Sequence, residues 1–366
     1  MSSIDLAFLG TAFGLPGDFL NAVPYGSGHI NDTFAASYSQ AGCRVRYLHQ
    51  RINHRVFRQP RQLMENIARV TRHAGEALRL SGVREASRRA LTIVPTPAGE
   101  PCFEDAEGNF WRTYYFIENA ASFDKVENPR QAREAARAFG EFQGLLADLS
   151  GERLHETIPN FHHTRSRFNA FAQAHAEDPL GRARAAHEEI QFALQRESMV
   201  DALIDLQGRG ELPERVTHND TKLNNVMFDT ASGQAICVID LDTVMPGLAL
   251  YDFGDMVRTA TSPALEDETD LSKVTMQMPM FEALAAGYVE ATRSFLTPAE
   301  KARLAFSGKL ISFEIGLRFL TDFLQGDTYF KTKRPGHNLD RCRTQFKLVE
   351  SIEAQEDTMR RLVDAL

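Results

Sequence analysis

Thr217-His218-Asn219-Asp220-Thr221-Lys222-Leu223-Asn224-Asn225 leads into the apolar Val226-Met227-Phe228, turn-formers from Asp229 to Gly233, the apolar run Ala235 to Ile239, and then Asp240-Leu241-Asp242. Two short apolar runs separated by Asp, Thr, Ser and Gly predict a β-hairpin. Such a hairpin brings Asn225, at the entrance of its first strand, beside Asp240, at the exit of its second. One amide oxygen and one carboxylate so placed can share a hard cation, and magnesium favours a few protein oxygens completed by phosphate oxygens.

The loop before the hairpin specifies the chemistry further. Asp220 and Asn225 stand five residues apart. That is the spacing of the catalytic loop of protein kinases, where the Asp accepts the proton of the substrate hydroxyl and the Asn holds magnesium. Asn219 replaces the arginine of the usual His-Arg-Asp. A literal Asp252-Phe253-Gly254 follows, the tripeptide that supplies the metal carboxylate in protein kinases. It falls after the Pro246-Gly247 turn and opens a helical stretch, so the metal role is assigned to Asp240, and Asp252 is read as a helix cap or a buried partner of the catalytic loop.

His-x-Asp-x-x-x-x-Asn, Ile-Asp-x-Asp, a Pro-Gly turn and Asp-Phe-Gly-Asp together resemble the aminoglycoside phosphotransferase and choline kinase superfamily. Gly28-His29-Ile30-Asn31, Thr217 to Asn225, Asp240-Leu241-Asp242-Thr243 and Arg318-Phe319-Leu320 are similar, within it, to the N-acetylhexosamine 1-kinases, over about Tyr25 to Val349. The resemblance implies an α+β, bilobal protein-kinase-like fold: a small β-rich N-lobe with one main helix, and a larger, mostly helical C-lobe. The expected domains are 1–118, the nucleotide-binding lobe with the hinge at its end, and 119–366, the catalytic and substrate-binding lobe.

Composition is compatible with this. The 366 residues are enough for two cores, with 43% hydrophobic and 25% charged residues. A formal charge of −8 argues against a general electrostatic grip on nucleic acid or an anionic membrane. The N-terminus lacks a basic leader and no apolar run reaches the ~18 residues that span a bilayer, so a cytoplasmic protein is expected. Cys43, Cys102, Cys237 and Cys342 are scattered without a Cys-x-x-Cys pair, which predicts reduced thiols. The adjacent His162-His163 cannot face one metal from a regular element as an i, i+4 pair could.

The remaining elements read outward from the hairpin. Gly10 to Phe19 is a short amphipathic opening segment. Tyr25-Gly26-Ser27-Gly28-His29-Ile30-Asn31-Asp32 places glycines in a turn, where backbone N–H groups can approach ATP phosphates without obstruction. Arg44 to Ile52 alternates as a strand, with Leu48, Gln50 and Ile52 on one face and Tyr47, His49 and Arg51 on the other, Arg51 pointing outward. Protein kinases carry a phosphate-pairing lysine on the corresponding strand; Gln50 takes that place here, and a neutral amide cannot offset phosphate charge. Pro60 to Arg79 predicts a helix burying Leu63, Ile67, Val70 and Leu78, with Glu65 as the helix carboxylate or a solvated charge. Leu91 to Val94 and Phe110 to Ile117 read as strands, Trp111 as lobe packing, and Glu118 to Ala121 as the hinge, with adenine pairing to backbone around Phe116 to Asn119. Helices are predicted over Pro129 to Ala147, roughly Ala183 to Gln207, from Thr297-Pro298 through Phe323, and over Asn338 to Ala365.

The leading functional reading is magnesium-dependent transfer of the ATP γ-phosphoryl group to the anomeric hydroxyl of an N-acetylhexosamine. Asp220 is the base. Asn225 and Asp240 hold Mg2+, and Asp242 either binds a second ion or braces the loop. Lys222 meets the phosphoryl group or is a plain surface lysine. Gly26, Ser27, Gly28, Gln50, Phe116 and Glu118 are the candidate nucleotide contacts. The resemblance implies sugar contacts at His29, Asn31, Asp32, Arg318 and Tyr329. Arg318 lies in an apolar helix, and its alternative is a salt bridge to the catalytic loop or to Asp322. Glu266-Asp267-Glu268 with Asp270 is a solvated acidic run or a cradle for a polycationic aminoglycoside, the rival acceptor. A catalytically silent nucleotide-binding regulator is the rival from another class. The protein is expected to be a monomer or weak homodimer.

Overall fold

The computed structural model describes residues 5–26 and 30–366. Its strands are β1 (Asp18–Pro24), β2 (Asp32–Gln40), β3 (Cys43–Arg51), β4 (Phe103–Glu104), β5 (Phe110–Tyr115), β6 (Ala120–Ala121), β7 (Arg215–Thr217), β8 (Val226–Asp229), β9 (Ala235–Val238) and β10 (Met245–Gly247). Its helices are α1 (Leu6–Ala12), α2 (Pro60–Leu80), α3 (Ala86–Arg89), α4 (Pro129–Leu145), α5 (Thr164–Glu177), α6 (His187–Leu194), α7 (Ala202–Gly208), α8 (Ala249–Ala260), α9 (Met278–Thr292), α10 (Pro298–Lys301), α11 (Leu304–Gln325), α12 (His337–Glu353) and α13 (Glu356–Ala365). This is the expected α+β class, with strands early and helices late.

Two compact units result. The first comprises Met1–Ala121, Asp148–Ile158 and Met227–Met245; the second comprises Ser122–Ala147, Pro159–Val226 and Pro246–Leu366. A single boundary at 118/119 treats the chain as linear, whereas the hairpin returns to the first unit through strand pairing. Ala120 pairs with Asp229 and Ala121 with Phe228, so the expected hinge is itself a strand, β6. Arg88 on α3 reinforces this edge by donating to the Glu118 and Asn119 carbonyls and, at 2.7 Å, to the Asp229 carboxylate.

The first unit is built on an antiparallel sheet in the order β1-β2-β3-β5-β4. Ala41 and Gly42, both at positive φ, close the two-residue β2–β3 turn. The alternation on β3 is real, but the face carrying Tyr47 and His49 is buried. Tyr47 joins Leu9, Phe13, Ala36, Tyr38, Val94 and Trp111 in one apolar cluster, to which α1 contributes. His49 is fully buried between Tyr38 Oη (3.2 Å) and Thr113 Oγ1 (2.8 Å), and burial pushes its imidazole down to about 4, so it is neutral at pH 7. On α2, Leu63, Ile67, Val70 and Leu78 are all buried, as the periodicity requires. Leu91 to Val94 departs from expectation: it makes only an isolated bridge, Ile93 to Tyr114, and the edge strand is Phe103–Glu104.

In the second unit α4 packs on α9, and α11 packs on α12, α8 and α5. Glycines set the closest approaches: a Cβ on Gly287 of α9 would stand 2.3 Å from the Arg133 carbonyl oxygen of α4. The long helices read from periodicity are interrupted. Residues 183–208 form short helical turns around α6 and α7, α10 ends before α11 begins, and α12 stops at Glu353 before α13 starts at Glu356. Thr297 caps α10 with Glu300 in a reciprocal capping box, as its sequence suggests.

Candidate active site

In the second unit the loop after β7 holds the Asp220 carboxylate against two donors. Lys222 Nζ lies 3.0 Å from Asp220 Oδ2, and Asn225 Nδ2 lies 3.1 Å from the same oxygen and 2.8 Å from the Asp220 carbonyl. Asp220 remains partly exposed, so its carboxylate can be reached from solvent. With its Nδ2 turned to Asp220, Asn225 has its amide oxygen as the donor suited to a hard cation.

The loop is held in shape from beneath by a buried carboxylate. Asp252 Oδ2 accepts from His218 N (2.9 Å) and Gln143 Nε2 (2.6 Å), and its Oδ1 accepts from Asn219 N (2.7 Å). Thr221 adds two bonds to the same helix, donating Oγ1 to the Asp252 carbonyl (2.7 Å) and N to the Asp255 carboxylate (2.9 Å). These contacts fix Asn219 at φ +66°, the left-handed turn that presents Asp220. The other residues of the Asp-Phe-Gly tripeptide have packing roles. Phe253 is fully buried, and a Cβ on Gly254 would come within 2.5 Å of the Ser307 carbonyl oxygen on α11. Asp252 is thus the buried partner of the loop.

A second support was not legible in the sequence. His162 Nδ1 lies 2.8 Å from Glu314 Oε1, and its Nε2 lies 3.0 Å from the carbonyl of Asn219. Thr164 Oγ1 donates to the other Glu314 oxygen at 2.7 Å. Burial alone would push the imidazole down, but the Glu314 charge and hydrogen bond outweigh it and hold His162 above its ordinary value. The only available signal was a glutamate inside the apolar run Leu310 to Leu317, which needs a partner once buried. His163 instead caps α5, accepting from Ser166 N.

The first unit carries the Asp-x-Asp. Asp240 is exposed at φ +59°, while Asp242 is buried. Asp242 Oδ1 pairs with Arg112 Nη1 of β5, Oδ2 accepts from Asn31 Nδ2 at 2.6 Å, and its carbonyl accepts from Thr157 Oγ1 at 3.2 Å. Burial opposes the Arg112 charge, but Asp242 holds its pKa above the ordinary guanidinium value. Arg112 also donates Nε to Gln50 Oε1 at 2.9 Å, while Gln50 Nε2 donates to Thr33 Oγ1 at 2.9 Å. Asn31 accepts from Asn53 N at 3.0 Å, so both ends of its amide are engaged.

This geometry agrees with comparisons across known proteins. A model of the phosphotransferase enzyme family (APH) matches residues 21–292, well over half of the chain. The chain belongs to that family. An aminoglycoside phosphotransferase from Alicyclobacillus acidocaldarius is similar in fold at 13% identity and a TM-score of 0.56, over 100% of this chain and 95% of that one. An ethanolamine kinase of Plasmodium vivax is similar at 13% identity and a TM-score of 0.55, over 89% and 82%. The AMP-bound complex of a spectinomycin phosphotransferase is similar at 11% identity and 0.51, over 94% and 95%. The chain thus combines membership of a phosphotransferase family with the protein-kinase-like fold shared by these structures.

The other candidate residues of this phosphotransferase are distributed as follows. Ser27, Gly28 and His29 lie outside the described residues. Gly26 adopts φ +83°, with open space where a Cβ would stand, so the backbone turn is what calls for glycine. Asp32 is paired with Arg51 at 2.5 Å, which accounts for the outward end of β3. Phe116 stacks under the Arg46 guanidinium at 3.8 Å and meets the Tyr25 ring edge-on, while Glu118 forms an ion pair with Arg46. Glu65 turns to His155 Nε2 at 2.9 Å, and Asn66 beside it is the buried tether, bonding His155 backbone and the Val244 carbonyl.

In the second unit, Arg318 is half-buried with its guanidinium carbon 5.2 Å from the Phe161 ring, 5.9 Å from Tyr329 and 5.6 Å from Phe330. Asp322, its candidate salt-bridge partner, is occupied by the backbone N–H groups of Thr328, Tyr329 and Phe330 and by Asn338 Nδ2. Arg167, which sequence reading missed, lies close enough for burial and the Arg318 charge to hold its pKa below the ordinary guanidinium value. The acidic run is engaged by its own neighbours: Glu266 faces Arg258 and Arg341, Asp267 faces the His337 ring, and Glu268 and Asp270 face Lys273. Among the described residues no helix is long and apolar enough to cross a membrane, and no three His, Cys, Asp or Glu side chains cluster as a metal site. The Asn225 amide oxygen and the exposed Asp240 carboxylate are each, by themselves, hard oxygen donors of the kind magnesium takes.

Proposed function

We propose that this phosphotransferase moves the γ-phosphoryl group of ATP onto the anomeric hydroxyl of an N-acetylhexosamine, giving the sugar 1-phosphate and ADP. Asp220 accepts the proton of O1 as that oxygen attacks phosphorus and the bond to the ADP oxygen breaks. Lys222, already 3.0 Å from Asp220, is placed to meet charge on the transferring group. Asn225 and Asp240 are the proposed ligands of Mg2+, which when bound neutralises charge on the phosphate oxygens. The glycine turn around Gly26, with Phe116 and Glu118 beyond β5, is the proposed nucleotide side, and the AMP complex of the spectinomycin enzyme supports a nucleotide in this fold.

The observation that carries the acceptor is the Arg318 group. Phe161, His162 and Asn219 connect it to the catalytic loop: Phe161 packs on Arg318, and its chain neighbour His162 binds the carbonyl of the residue preceding Asp220. An acceptor beside Arg318 and Arg167 meets positive charge and aromatic faces, which suits a neutral, oxygen-rich sugar with an amide carbonyl. It repels choline or a polycationic aminoglycoside, and the internally paired acidic run gives the latter no cradle. Tyr329, exposed beside Arg318, supplies an aromatic face for the sugar.

Sugar-dependent ADP release should be measured across N-acetylglucosamine, N-acetylgalactosamine, an aminoglycoside and choline, with the phosphorylated position read by NMR. The expected product is the 1-phosphate of an N-acetylhexosamine. Asp220→Asn should lower turnover about 10²–10⁴-fold, as loss of a general base does, while nucleotide binding and fold persist. Turnover only with the cationic acceptors, or undiminished turnover in Asp220→Asn, refutes the assignment. No turnover with any acceptor would instead support a silent regulator.

A further inference from the structure

The strand position that holds a lysine in protein kinases is Gln50 here, and both ends of its amide are used, on Thr33 and on Arg112. The missing cation lies one strand over. Arg112 is the register partner of Gln50 on β5, is only 1% exposed, and spends its charge on Asp242. The helix that carries the lysine's glutamate partner in protein kinases offers Arg112 only Met64, at 3.9 Å, because Glu65 is turned to His155.

We propose that the Arg112–Asp242 pair replaces the lysine–glutamate pair as the positioning device of the nucleotide site. Asp242 is a brace, and Asp240 is the single metal carboxylate of the Asp-x-Asp. The inference deepens the reading of the chain as a magnesium- and ATP-dependent kinase and rests on it. Three connections carry it. Arg112 fixes one oxygen of Asp242. Asn31, just before β2, fixes the other and is itself held by Asn53. Thr157 holds the Asp242 carbonyl, and Asn66 holds that of Val244. The short helical turn Leu241–Thr243 is thereby clamped, with Asp240 at its head in a left-handed conformation. One buried carboxylate thus sets both Asn31, at the entrance of β2, and the placement of the exposed carboxylate two residues before it. Asp242 has both oxygens committed and little access, whereas Asp240 is exposed.

Removing one partner leaves a buried charge uncompensated, so single variants confound stability with function. The test is a cycle of Arg112→Met, Asp242→Leu and the double variant on the full chain. Urea denaturation reports stability, and Mn2+ binding in the presence of ADP, followed by electron paramagnetic resonance, reports the site without turnover. Each single variant should be destabilised, and the double variant should recover most of the loss. Mn2+–ADP affinity in the double variant should stay at least tenfold below that of the unaltered protein, with a matching rise in the KM for Mg·ATP. Arg112→Lys, which keeps the charge, should recover part of that affinity.

Recovery of both stability and Mn2+–ADP affinity in the double variant makes the pair merely structural and overturns the proposal. Unchanged Mn2+ binding in Arg112→Met shows that the pair does not position the site, and tighter binding points to Asp242 as a ligand; either overturns the proposal. If the unaltered protein binds no Mn2+–ADP, the kinase reading fails first and takes this inference with it.

Discussion

Asp252→Asn separates an anchoring carboxylate from a metal ligand almost without changing volume. In the native protein three N–H donors converge on Asp252, from His218 N at 2.9 Å, Gln143 Nε2 at 2.6 Å and Asn219 N at 2.7 Å, and they are divided between its two oxygens. An asparagine offers one acceptor oxygen. Whichever way it is turned, at least one backbone N–H of the catalytic loop faces an NH2 group. An unsatisfied buried donor costs about 1–3 kcal/mol. The surviving bonds also lose their ionic character, which roughly halves their strength. Against this, a neutral amide is cheaper to bury than the carboxylate, whose pKa burial already holds above the ordinary range. The expected net loss is about 2–4 kcal/mol, within the range for breaking a buried network. Equilibrium urea unfolding at pH 7, followed by far-UV circular dichroism for the helices and by the fluorescence of Trp111 for the first unit, measures it. A midpoint unchanged within about 0.5 kcal/mol, together with lost metal dependence, would falsify the anchoring role and make Asp252 a magnesium ligand as in protein kinases.

Three further outcomes follow from the geometry. His162, held above its ordinary pKa beside Glu314, contributes stability that is present below the unfolded value of about 6.5 and is lost as pH rises through the folded value. Glu314, held below its ordinary range, loses its share only as pH falls through its own folded value. Urea midpoints measured upward from about pH 6 should therefore fall more steeply for the native protein than for His162→Gln; parallel slopes would show that no imidazolium is present. Arg318→Ala should raise the KM for the favoured acceptor about tenfold or more while leaving that for ATP near its native value, and equal losses at saturation with every acceptor would make Arg318 structural. Gly287→Ala forces a Cβ to within 2.3 Å of a backbone oxygen on α4 and should cost about 1–3 kcal/mol despite alanine's better helix propensity, again read by urea unfolding.

The local pattern of the chain accounts for much of the fold and for the core of the site. Alternation around Gln50, the periodicity of Leu63, Ile67, Val70 and Leu78, the turn-formers between β8 and β9, and the Thr297 cap were all legible. So was the placement of Asp220 and Asn225 in one loop, because five residues of chain cannot carry them far apart. That Asp252 would be a helix cap or a buried partner of the loop followed from its position after a Pro-Gly turn and at the start of a helix, and the structure makes it the buried partner. The breaks between α10 and α11, and between α12 and α13, were missed because apolar periodicity continues across them. Burial of Tyr47 and His49 was missed because it depends on α1 covering a face that alternation by itself assigns to solvent.

What the sequence determined was the family, and the placement of Asp220 and Asn225 in one loop, since both depend on spacing along a short stretch. What only the tertiary structure decided was the partner of each buried charge. Arg112 and Asp242 are 130 residues apart, and His162 and Glu314 are 152 apart. A charge inside an apolar run announces that it must be compensated when buried. The chain order does not say by whom, because compensation acts through space over a few ångströms and only folding brings those groups that close.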